Sequence, residues 1–343
     1  MGGRSLPAVS LLVGAALSAA GAMASPASAG EAEPLQLEVK IPLGDVKGRI
    51  DHMAVDLDRQ RLFVAELGND SVGIVDLSAS KVSGRLRGLK RPQGVGYVPS
   101  TDILYVANAG DGSVRLFKGQ DLREAGRIEL GDDADNVRVD SAGNRVIVGY
   151  GAGALAIIDA KENRTVAEIG LDGHPESFRP ESGGSRVFVN VPDAHAIEVA
   201  DRPSGKVIAK WPTGHSSANF PMALDEASQQ VLVVFRNPPT LTAFSMKDGA
   251  PVATAGTCGD SDDVFVDAKR HRVYVSCGEG YLDVFEPDAG TFRRIAHLPT
   301  APGARTSLFV PELDRLFLAV RARDQEPAAI WVYRPDPREV RSR

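Results

Sequence analysis

Two histidines and a set of acids, amides and one arginine stand at matching places along this chain. His52, Asn136, His174, Glu176, Asn219, Asp262, Asp263 and Arg305 each lie just ahead of, or at the start of, a short apolar segment that recurs through the sequence. Residues of these types allow several chemistries. The oxygens of Glu176, Asn219 and Asp263 suit a hard divalent metal ion, whereas the imidazoles of His52 and His174 favour zinc or another transition metal. Either histidine could instead act as a general base. Arg305 has the planar fork that grips a carboxylate in two hydrogen bonds, and it could equally pair with Asp262 or Asp263 across the same opening. The sequence holds no H-E-x-x-H, P-loop, dinucleotide G-x-G-x-x-G, G-x-S-x-G elbow or C-x-x-C-H segment, so no spaced signature selects among these chemistries.

The elements that must position these residues repeat. LFVAELGNDSVGIVDL (62 to 77), LYVANAGDGSVRLF (104 to 117) and VYVSCGEGYLDVFE (273 to 286) share one pattern of strand, polar turn and strand. Asp56, Val98, Asp140, Glu181, Asp225 and Asp267 mark the end of the preceding strand in successive copies, at spacings of 42, 42, 41, 44 and 42 residues. The Asp residues predict a recurring turn cap. A period near forty made only of strands and turns predicts an all-β, seven-bladed β-propeller, with SLFVPELDRLFLAV (307 to 320) as the last copy. That copy lacks a fourth strand, and LQLEVKIPL (35 to 43) is expected to supply it, closing the ring and covering an open edge. The apolar runs predict inner strands buried on both faces.

Residues 1 to 29 read as a signal peptide: Arg4, an apolar run from Leu6 to Ala19, and A-x-A sites ending at Ala29. Residues 30 to 343 are then one propeller domain, with its ordered core at 34 to 337 and a periplasmic or secreted location. Removing the leader takes the net charge from -6 to -7, which disfavours nucleic acid or an anionic membrane as partner. No later segment is long and apolar enough for membrane insertion. In an exporting compartment Cys258 and Cys277 are expected to form a disulfide, a reactive or metal-bound thiol pair being the alternative.

The copies LYVANAGDGSVRLF and VFVNVPDAHAIEVAD resemble the repeat of the YVTN family of bacterial β-propellers, the group that includes YncE-like exported proteins. Tyr105-Val106-Ala107-Asn108 approximates its tetrapeptide. The resemblance spans residues 35 to 335 and implies a seven-bladed, exported protein; it carries over no active-site residues.

In such a disc the loops entering the inner strands converge on one mouth of the central channel, so the polar residues named above are expected to meet there, beside Asp51, Gln93, Asp135 and Thr306. Crowding of so many ionisable groups should shift their pKa values. The leading expectation is a monomeric binding or scaffold protein with a small molecule or protein partner at this rim. The alternative is a metal-assisted hydrolase or lyase, similar in outline to the metal-centred lactonases of six-bladed propellers, with the cation on Glu176, Asn219 and Asp263 and His52 or His174 as base. A subunit of a periplasmic redox complex is a third reading, resting only on similarity to quinoprotein propellers.

Overall fold

The computed structural model describes residues 1–3, 33–140 and 143–336. Contacts divide the chain into Met1–Ala32 and Glu33–Arg343, and the fold described is that of the second unit. Most of the expected signal peptide, residues 4–29, lies outside the described residues. Among the described residues no helix is long and apolar enough to cross a membrane.

Among the described residues the protein is all-β, with two short 3-10 turns at Leu67–Asn69 and Pro192–Ala194. Its strands form five four-stranded antiparallel sheets and one eight-stranded sheet. The latter consists of two four-stranded halves that meet at one parallel pair, Thr254 beside Thr291, where the Thr291 hydroxyl donates to the Thr254 carbonyl. The strand Leu35–Gly44 pairs antiparallel with Ala328–Pro335 and forms the outer edge of the sheet built by Ser307–Val310 and Arg315–Val320. The first and last described strands therefore share one sheet, as expected for residues 35 to 43.

Burial corrects one expectation. The second strand of each sheet is buried through its middle, completely so in Ile103–Asn108 and Arg272–Cys277. First strands such as Met53–Asp56 and Val137–Asp140 are partly accessible there, and only Pro92–Val98 among the described first strands is buried throughout, as expected. A second strand has a neighbour on each edge and a packed sheet on each face, while a first strand has a free edge. Outer strands such as Lys81–Arg87 alternate between exposed and part-buried positions. A β-bulge recurs where the outer strand pairs with the third, at Ile74/Val75, Leu116/Phe117, Ile157/Ile158, Val199/Ala200, Ala243/Phe244 and Val284/Phe285. Repetition of this extra residue gives each sheet the same local twist.

The recurrent acids do cap turns. Asp56 accepts from the Arg59 N–H, Asp140 from Gly143, Asp225 from Ser228, and Asp267 from Lys269 and Arg270. The polar hairpins end in left-handed residues, Asp70, Gly112 and Gly280, with φ of 50°, 63° and 105°. At Gly112 a Cβ would meet the Asp132 nitrogen at 2.3 Å, so close approach as well as φ demands glycine there.

Candidate functional site

Pairing between first and second strands runs on past the strand starts, and this extension sets the site. Asp51 N–H donates to Ala65 O, Asp135 to Gly149 O and Glu176 to Asn190 O. These three acids thus enter at one level from different sheets. The Thr306 carbonyl receives Ala319 N–H as the His52 carbonyl receives Ala65 N–H, which places Arg305 at the level of Asp51. Two β-bulges finish the arrangement. Asp262 is the extra residue between Ser261, opposite Cys277, and Asp263, opposite Ser276. Phe220 belongs to the extra segment between Asn219, opposite Phe235, and Met222, opposite Val233. Bulges re-aim side chains, and both residues face a cavity of about 20 Å³ lined also by Arg49, His52, Asp135, Asn136, Glu176 and Ser177. Such a volume holds a single water.

Of the residues read from sequence, His52, Asn136, Glu176 and Asp262 meet in this cavity. His174 lies next to it: its Nε2 is 3.7 Å from Asp135, and its Nδ1 is 2.6 Å from the Gly151 carbonyl, an acceptor only, so Nδ1 carries a proton. Arg305 pairs with Asp262 at 3.1 Å and with Asp260 at 2.7 Å. Arg236 joins the same acids, 2.6 Å from Asp262 and 3.5 Å from Asp260, while its guanidinium lies 3.8 Å over the Phe220 ring. The expected pairing of Arg305 with Asp262 is therefore present, and Asp260 and Phe220 were missed because neither stood in the polar register of the repeat.

Asn219 and Asp263 go elsewhere. The bulge turns the Asn219 amide into the neighbouring sheet, where it donates to Asn190 Oδ1 and the Ala196 carbonyl and is fully buried. Asp263 accepts the Ser307 N–H of the next sheet at 2.8 Å. Asn136 likewise donates across to the Glu176 carbonyl at 2.7 Å. These three contacts stitch adjacent sheets. Glu176, Asn219 and Asp263, proposed together as cation ligands, are thus not brought together, since only Glu176 lines the cavity, and among the described residues no three His, Cys, Asp or Glu side chains are grouped to hold a metal. Cys258 and Cys277 form the expected disulfide, their Cα atoms 5.9 Å apart. Such a bond fits an oxidising compartment.

Electrostatics separate the two histidines. Burial, with Arg138 adding to it, pushes the His52 imidazole down to about 4, so it is neutral at pH 7. The Asp135 carboxylate, outweighing burial and aided by Gly151 O, holds His174 up at about 9, so it is cationic. Burial and then Asp135 push the Glu176 carboxyl up to about 7, and burial and then Asp262 do the same to Asp263. Burial also raises Asp51 well above the usual range, despite Arg49 at 2.8 Å.

These shifts make stability depend on pH. His174, raised from 6.5 to about 9, contributes stability that is complete below pH 6.5 and lost as pH rises through 9. The raised carboxyls act with the same sign, losing their contribution as pH rises through 7. His52 is opposite, its contribution being present above pH 6.5 and lost as pH falls through 4. Between pH 7 and 9 the His174 contribution is the largest that changes, and urea unfolding should show a loss of about 2 kcal/mol, mostly absent in His174→Gln. Equal slopes in the two proteins would remove His174 from this role.

No protein-family model matches the chain, and no curated protein sequence matches it. Solved structures do. A chain of the Kuenenia stuttgartiensis hydrazine synthase is similar with a TM-score of 0.69 at 18% identity, over 85% of this chain and 96% of that one. A chain of a mitotic checkpoint complex is similar with a TM-score of 0.70 at 14% identity, over 90% of this chain and 97% of that one. Both have β-propeller-like folds, and at these identities the likeness establishes that this chain has a β-propeller-like fold.

Proposed function

We propose that this protein is an exported, seven-bladed β-propeller of YVTN-repeat type that acts as a binding or scaffold protein, with its partner seated on the mouth where the entry loops converge. The eight-stranded sheet then counts as two blades joined at Thr254 and Thr291, and the strand Leu35–Gly44 closes the ring. The observation that carries the functional reading is the level set of Asp51, Asp135, Glu176 and Arg305, drawn from different sheets, beside one small cavity that Asp135, Glu176 and Asp262 line. About 20 Å³ is far below the ~300 Å³ of a pocket that engulfs a small molecule, so recognition would occur on the rim. A protein surface suits that geometry. Cationic His174 and the Arg236, Arg305, Asp260 and Asp262 lattice would present both signs of charge to it. One fold neighbour belongs to a multi-protein complex. The disulfide is in keeping with export.

The lactonase-like alternative has less support, because Asn219 and Asp263 do not line the cavity that Glu176 faces. Affinity capture tests the main reading. Wild-type protein should retain a partner that an Asp262→Ala/Arg305→Ala variant loses while still melting cooperatively, and undiminished recovery by that variant would move the interface off this mouth.

A further inference from the structure

Three residues beyond the level of Asp51, Asp135 and Glu176, the first strands present another set of equivalent positions. Their equivalence is fixed by pairing: Ala54 lies opposite Phe63, Gly96 opposite Tyr105, Arg138 opposite Ile147, Arg179 opposite Phe188, Ala223 opposite Leu232, Phe265 opposite Tyr274 and Leu308 opposite Phe317. The set is small or apolar except for two arginines on adjacent sheets. Neither has a carboxylate within ion-pair distance among the described residues, in a protein whose other buried or half-buried arginines mostly have one.

Their hydrogen bonds leave capacity unused. Arg138 donates one NH group to its neighbour's carbonyl, Val137 O, and its buried Nε has no acceptor. Arg179 spends Nε on the Met222 carbonyl at 2.9 Å, which leaves its terminal NH groups without an acceptor among the described residues. Asp263, the carboxylate whose charge both arginines feel, is held by the Ser307 N–H and stays outside ion-pair reach. Burial, and for Arg138 the second guanidinium, depresses both pKa values. Two like charges in such surroundings are costly without an anion.

Access comes from the pole opposite the cavity described above. A hollow of about 480 Å³ opens there, lined by Arg179, by Ala223 and Phe265 of the same set, and by turn residues including Asp225 and Glu226. Both of those acids already accept turn N–H groups, from Ser228 and Ser182 respectively.

We propose that this hollow is a second binding site, for a small oxyanion, with Arg179 as its principal ligand and Arg138 supplying charge from the adjacent sheet. A carboxylate or phosphate presents the paired oxygens that a guanidinium edge accepts, which a halide does not. Pocket and site are separate from the partner-binding mouth, so either can fail alone.

Inorganic phosphate serves as probe, with acetate as the carboxylate arm and chloride at equal ionic strength as control. Thermal melting and ³¹P line broadening should both show a saturable response to phosphate, and acetate should compete with it. Arg179→Met should abolish the response, and Arg179→Lys, which keeps charge but not the fork, should weaken it by about tenfold. A chloride response equal to that of phosphate would overturn the site. So would a phosphate response that survives in Arg179→Met, or, if that variant does not fold, one of undiminished affinity in Arg179→Lys.

Discussion

Replacing Arg270 with alanine is expected to remove about 3–5 kcal/mol of stability, the cost of leaving a buried acid without its partner. Arg270 is 1% exposed and sits in the turn between the strands Ser261–Asp267 and Arg272–Cys277. Its guanidinium bonds Asp267 at 2.9 Å, takes both oxygens of Asp314 at 2.7 Å and donates Nε to the Asp336 carbonyl at 2.8 Å. Asp267, itself buried, also accepts the Tyr274 hydroxyl at 2.6 Å. One side chain therefore ties its own turn to the turn of the next sheet and to the end of the strand Ala328–Pro335, which pairs with Leu35–Gly44. Arg59 makes the matching reach from Asp56 to Asp102, but with its side chain 35% exposed. Water can replace those bonds, so Arg59→Ala should cost much less. Urea unfolding of the two variants at pH 7 checks the contrast; losses of equal size would show that burial does not set the strength of this link.

The Cys258→Ser/Cys277→Ser variant should lose about 3 kcal/mol, the chain entropy released when a loop of this length is opened in the unfolded state. Both sulfurs are buried, at 3% and 0% residue exposure, so hydroxyls in their place also sit in apolar surroundings. The bond joins the start of an entry loop to the end of the second strand in the same sheet, and Asp260 and Asp262 follow directly after Cys258. That loop keeps other anchors: the Cys258 N–H to Asp283, the Gly259 N–H to Glu279 and the Gly278 N–H to Asp260 O. The loss should therefore appear in global unfolding, with the Arg305 ion pairs still formed in the folded variant. An unchanged urea midpoint would show that the bond contributes nothing to folding.

Much of the architecture was legible in the chain because a repeat writes the same physical demand several times. The Asp at the end of the first strand must accept turn N–H groups wherever that turn is built, and Asp56, Asp140, Asp225 and Asp267 all do so. The candidate site was legible only in outline. Register arithmetic brought His52, Asn136, Glu176 and Asp262 to one cavity, yet it treated every entry loop as alike. Bulges broke that assumption, since one extra residue moved Asn219 off the cavity and left Phe220 on it. Arg138 and Arg179 went unnoticed although their equivalents are Ala54, Gly96, Ala223, Phe265 and Leu308. Within a single strand a charged residue looks like ordinary alternation, and only comparison between sheets shows it to be out of place.

Sequence alone determined the all-β repeat, the capped turns and the pairing of the terminal strand, because local hydrogen-bonding needs and a fixed period suffice for each. Tertiary structure alone decided which of Asp262 and Asp263 pairs with Arg305, which histidine is charged and where charge is left unbalanced. Those outcomes depend on distances of a few ångströms between groups far apart in the chain and on how much water remains between them, and no spacing along a sequence encodes either.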